Sequence, residues 1–152
     1  MFKTILILVY VMLLSGCAPR MSQAIINDIK RIQGYALWTK PKNDPTHYDF
    51  DLSTEKLNDD GSEYRIFFRD KNELVRIKYL KVQETANVTI NFYYEKGNLI
   101  LASYEEAIDD KIYRIYRKNN RTIYTCCKDD KPDVNLVKMG EAYYKDYLIL
   151  EM

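Results

Sequence analysis

A single histidine, His47, serves the whole 152-residue chain. A histidine-rich zinc or iron site is therefore excluded, and most acid–base templates lose their central residue. Glycine is also scarce, at five residues, and none falls in a nucleophile elbow, a Walker-type loop or a dinucleotide-binding pattern. There is no charge excess, with 23 Lys and Arg against 22 Asp and Glu. That balance removes the electrostatic argument for a nucleic-acid or polyanion partner. No apolar run is long enough to span a bilayer, which takes about 20 residues. The longest, Ile5 to Leu14, has ten.

That short run carries the strongest positive signal. It follows one cation, Lys3, and ends in Leu14-Ser15-Gly16-Cys17. A charged start, a short apolar stretch and a small-residue cleavage site make an export signal. The last four residues resemble the lipobox of bacterial lipoproteins, in which Leu, a small residue and Gly or Ala precede Cys. The resemblance implies cleavage between Gly16 and Cys17, a diacylglycerol on the Cys17 sulfur and a fatty acyl chain, such as palmitate, on its new amino group. Two or more chains anchor stably where one binds reversibly. Ala18 in place of Asp then implies the periplasmic side of the outer membrane in a Gram-negative host. The division expected is a leader at 1–16, a lipid-anchored tether at 17–21 and one domain at 22–152. Extended, the tether reaches roughly 17 Å, so the domain sits nearly against the bilayer. Without Lys3, acidic and basic residues balance at 22 each.

The domain reads as α+β. Ile25, Ile29 and Ile32 recur at helical spacing behind a cap at Ser22, and Gly34 is a natural stop, so a helix is expected at about 22–33. Residues 35–62 are weakly patterned: a short strand at Tyr35–Trp38, then Pro41, Pro45 and a turn at Asn58–Ser62. From Glu63 the period becomes two. Runs around Tyr64–Arg69, Val75–Tyr79, Val88–Tyr94, Leu99–Tyr104, Ile112–Arg117 and Thr122–Cys127 give about six strands. Asp70–Glu73, Glu95–Asn98 and Arg117–Asn120 link them, with Asn72, Gly97 and Asn119 suited to a type I turn followed by a left-handed residue. From Asp133, a candidate cap, Leu136, Met139, Tyr143 and Tyr147 share a helical face, which Gly140 weakens by about 1 kcal/mol. The apolar end, Tyr147–Leu150, is expected to pack on the domain. The whole predicts an antiparallel meander with N- and C-terminal helices covering one face.

Chemistry is harder to find. A Cys–His pair from Cys126 or Cys127 with His47 does not fit the papain-like pattern, in which the Cys precedes its His and opens a helix. Here the order is reversed and the cysteines end a strand, so no catalytic residue is assigned. On a strand one of these thiols would be buried and the other partly exposed. Asn58-Asp59-Asp60-Gly61 resembles part of an EF-hand loop, but the register would demand ligands from Lys56 and Phe67. No metal or cofactor is expected.

What remains is the polar face of the meander, on which Arg65, Arg76, Tyr93, Arg114, Tyr116 and Tyr124 are the chief candidates, with Lys78, Asn91 and Thr122 beside them. Tyr and Arg dominate interface hot spots, although any half-solvated sheet shows a polar face. The expectation is a non-catalytic, membrane-anchored interaction module, either an accessory subunit or an immunity-type inhibitor. A carrier of an apolar ligand is the second reading and a cysteine enzyme the third.

Overall fold

The structure, a computed structural model, describes residues 21–40, 50–83 and 87–151. The leader, the Gly16–Cys17 junction and His47 lie outside the described residues.

Helix α1, Gln23–Trp38, comes first. Seven strands follow: β1 (Asp51–Lys56), β2 (Glu63–Asp70), β3 (Glu73–Val82), β4 (Asn87–Glu95), β5 (Asn98–Glu106), β6 (Lys111–Lys118) and β7 (Arg121–Cys126). A single 3-10 turn, Lys128–Asp130, leads to α2, Leu136–Leu150. The strands form one antiparallel sheet in sequence order, β1 to β7. Six of them stand where period-two alternation put them. The seventh, β1, was missed because its one large apolar residue, Leu52, points outward at the sheet edge.

The two helices lie on opposite faces, which corrects the one-face arrangement. Ile29, Ile32 and Ala36 of α1 pack on Tyr93, Ile100, Leu101 and Tyr116. Leu136 and Tyr147 of α2 pack with Phe67, Ile77, Phe92, Tyr94 and Ala102. The cause is visible in β4 and β5, which are buried on both sides. Strands of that kind need cover above and below, so the fold is helix, sheet, helix.

α1 also runs past Gly34. Its Ser22 side chain accepts from the Ile25 N–H at 3.4 Å, as expected of a cap. Beyond Gly34, Ala36 is buried and the Tyr35 hydroxyl donates to the Tyr94 carbonyl. Those contacts outweigh the roughly 1 kcal/mol by which Gly disfavours a helix. Trp38 continues the packing edge-on between Tyr35 and Phe50, with ring centroids at 5.3 and 5.0 Å.

α2 is capped by Asn135, whose side chain accepts from the Lys138 N–H at 3.1 Å, rather than by Asp133. Tyr143, Tyr144 and Tyr147 form an aromatic seam with Phe67, Phe92 and Tyr94, at centroid separations of 5.1–5.7 Å. Gly140 is the closest approach: a Cβ there would stand 2.6 Å from Phe92 Cδ1. Its carbonyl accepts from the buried Tyr94 hydroxyl at 2.7 Å. The last turn departs from expectation. Only Tyr147 is buried, while Leu148, Ile149 and Leu150 are 46%, 65% and 61% exposed.

The hairpins at one end of the sheet repeat a device. Lys71-Asn72, Lys96-Gly97 and Asn119-Asn120 all have positive φ, from 49° to 77°. These are two-residue type I′ turns, not the type I geometry expected, and the third lies one residue later than read. The ladder slips once beyond each turn, after Phe68, Tyr93 and Tyr116. The extra residues are Val75, Ile100 and Ile123, and all three face the α1 side. Each bulge adds one apolar side chain beneath or beside α1.

Candidate interaction face

The six candidate residues do not share a face. Arg65 lies on the α2 side. Its guanidinium reaches Glu55 Oε2 at 2.6 Å and Asp146 Oδ2 at 3.1 Å, and sits 4.4 Å from the Tyr143 ring centroid. It ties β1, β2 and α2 together and has nothing left to offer a partner.

The other five are on the α1 side, in two states. Arg76, Tyr93 and Tyr116 are buried. Tyr116 and Tyr93 pack beneath α1, and the Tyr116 hydroxyl accepts from Gln33 Nε2 at 3.1 Å. Arg76 donates to Asn91 Oδ1 at 2.6 and 3.1 Å and to the Thr39 carbonyl at 3.2 Å, with Phe68 and Tyr93 rings 4.7 and 5.4 Å away. A cation at a helix C-terminus is favourable, and this one pins the end of α1 to the sheet. Arg114 and Tyr124 remain half-exposed.

α1 crosses the turn end of this face and leaves the next cross-strand row beyond it. In register that row reads Lys78, Asn91, Ser103, Arg114 and Cys126, on β3 to β7. Ser103 was not foreseen, because it falls in a run that reads as apolar on both sides. A cleft of about 240 Å³ opens between this row and the last turns of α1, lined by Gln33, Leu37, Lys40, Tyr93, Ser103 and Arg114. The nearest carboxylate, Glu105, is 3.8 Å from Arg114. Burial, then the nearby Arg76 charge, lowers the Lys78 pKa below the ordinary lysine range.

A larger cleft, about 500 Å³, lies on the α2 side over Val88, Ile90, Tyr79 and Met139. Its two sheet lysines are paired, Lys111 with Asp109 at 2.6 Å and Glu106 at 3.7 Å, and Lys81 with Glu63 at 3.0 Å. Asp129, Asp130, Lys131 and Asp133 line the rest of its charged rim. The Tyr104 hydroxyl donates to Glu106 at 2.9 Å.

Both thiols are free. Cys126 ends β7 half-buried, and Cys127, with φ at 59°, has left the strand and is exposed. The opposed-face expectation assumed that the strand continues through both. The Cys126 pKa is raised, by its hydrogen bond with Cys127 and then by burial, which is the reverse of activation. Around Asn58–Ser62 the polar groups close a turn: Asn58 Oδ1 accepts from the Glu63 N–H at 3.0 Å and Asp60 Oδ1 from the Ser62 N–H at 2.8 Å. Among the described residues no cluster of three or more His, Cys, Asp or Glu is placed to hold a metal, and no helix is long and apolar enough to cross a membrane.

No protein-family model matches the chain, and no curated protein or solved structure matches it either.

Proposed function

We propose that this chain is a lipid-anchored, non-catalytic module of the cell envelope that works by binding another protein. The anchor is the Cys17 lipobox, with the periplasmic side of the outer membrane as its place in a Gram-negative host. The observation that carries the binding reading is a polar cross-strand row on the α1 face, in which Lys78 and Arg114 are half-exposed and Asn91 and Ser103 lie buried between them. Half-exposed Arg114 and Tyr124 on that face are the residue types that supply anchoring contacts at interfaces. The raised Cys126 pKa weighs against the third reading, a cysteine enzyme built on that thiol.

The larger cleft, with Val88, Ile90 and Met139 along it, favours a second reading as a carrier of an amphiphile. Native mass spectrometry of the acylated protein, extracted gently from its own membrane, separates the two. A stoichiometric protein subunit is the expected result. A bound mass in the lipid range would put the carrier reading first, and a bare monomer after in-cell crosslinking would count against binding. The same intact mass tests cleavage before Cys17.

A further inference from the structure

Among the described residues three arginines are buried, and they are not treated alike. Arg65 meets Glu55 and Asp146, and Arg117 meets Glu141 at 2.8 Å. Arg76, equally buried, faces an amide oxygen, a helix-terminal carbonyl and two aromatic rings, with no carboxylate within ion-pair distance among the described residues. Lys78, next in alternation on the same strand and face, makes no hydrogen bond or ion pair among the described residues and is half-buried. Arg114, two strands beyond Asn91, adds a third cation, and Lys40 lines the cleft from the end of α1. Against these stands one carboxylate, Glu105.

The polar groups between the cations are donors as well. An arginine can only donate, so the Asn91 oxygen must be the atom facing Arg76. Its NH₂ group is then left to donate elsewhere. On four neighbouring strands the half-buried Lys78 and Arg114 thus offer an ammonium and a guanidinium, with the buried amide of Asn91 and hydroxyl of Ser103 beneath and between them. Strands lie about 4.8 Å apart, so the row spans roughly 15 Å. Its complement is a group that only accepts and carries negative charge.

We infer that this row seats the carboxylates of an acidic segment from a partner protein, running across β3 to β6 beside the C-terminal turns of α1. The surroundings select a peptide. Leu37, 63% exposed, lines the cleft beside the row, and the next residue of the helix, Trp38, is 38% exposed. Apolar side chains flanking the acidic ones have a place to rest there. The inference depends on the protein-binding reading and supplies its chemistry.

The test uses the full chain in detergent, titrated with blocked hexaglutamate and, separately, with inorganic phosphate. Lysine side-chain NMR and calorimetry follow the binding. Hexaglutamate is expected to shift the Lys78 signal and raise its pKa. Lys78→Met with Arg114→Gln should weaken binding at least tenfold, while Lys145→Met, on exposed α2 surface, should leave it unchanged. Phosphate binding as tight as hexaglutamate at Lys78 would replace the acidic segment with a phosphate group and overturn the assignment. So would no binding, or equal loss in the Lys145 variant. A subunit that stays bound to the Lys78→Met/Arg114→Gln protein in native mass spectrometry would remove this seat and leave the protein-binding reading standing.

Discussion

Gly140 shows how a residue that weakens its own helix can strengthen the fold. Alanine there gains about 1 kcal/mol of helix propensity. It also places a Cβ 2.6 Å from Phe92 Cδ1 and 3.0 Å from Leu99 Cδ2, and overpacking typically costs about 1–3 kcal/mol. Gly140→Ala is therefore expected to lower the urea midpoint, and an increase would show that Phe92 can step aside. At the cysteines, a thiol-reactive dye should label exposed Cys127 rapidly and half-buried Cys126 several-fold more slowly. Single Cys→Ser variants assign the two phases, and equal rates would contradict the packing of Cys126 against the apolar cluster on the α1 side of the sheet. The grouping of Arg65 with Arg76 failed for a reason at this same scale. Were Val75 paired in the ladder, opposite Phe68, Arg65 would stand opposite Lys78 and share its face. The extra residue moves Arg65 opposite Tyr79 and sends it to the α2 side. Alternation in sequence cannot register a bulge, so residue types were legible and their faces were not.

Among the elements, the long strands were legible because half-buried sheet writes a period of two, and α2 because its apolar stripe writes a period near 3.6. β1 and the second half of α1 were not. β1 has no apolar alternation, and α1 passes Gly34 on the strength of contacts distant in sequence, to Tyr94 and Phe50. The hairpins are half-legible: the turn residues show where the chain reverses, and not which turn it makes. Type I′ turns favour Asn-Gly, and Lys96, at φ 50°, occupies the position where Asn belongs. Lys96→Asn is expected to stabilise by up to about 1 kcal/mol, since a left-handed conformation costs ordinary residues 1–2 kcal/mol. Denaturant midpoints of the wild type and variant decide it, and no gain would mean that Lys96 makes a compensating contact. The candidate row belongs to this scale too. It is defined by where α1 stops crossing the sheet, and no local pattern carries that information.

For the whole molecule, several of the fourteen tyrosines act together. Burial, first among the causes, and then Glu95 push Tyr35 up to about 12. Burial likewise raises Tyr79, Tyr93, Tyr94, Tyr143 and Tyr147. A raised pKa in the folded state means that the unfolded chain ionises first. Stability is thus unaffected by these groups below about pH 10 and falls as pH rises from about 10 toward 12. Absorbance at 295 nm should show a steep late step that coincides with loss of far-ultraviolet circular dichroism. Smooth ionisation of every tyrosine near pH 10, with the fold intact, would contradict the buried seam. The proposal of export and anchoring rests on the first 17 residues alone, because a leader is read by composition and order rather than by packing. The strand order has one more consequence. Each strand pairs only with its neighbours in the chain, so every hairpin can close before the next is complete and loop-closure entropy stays small at each step. A chain emerging end-first, N-terminus leading, can zip its sheet as it appears. The α2 side of that sheet stays bare until the last fifteen helical residues arrive, and it is then that a chaperone or a sister chain competes for it.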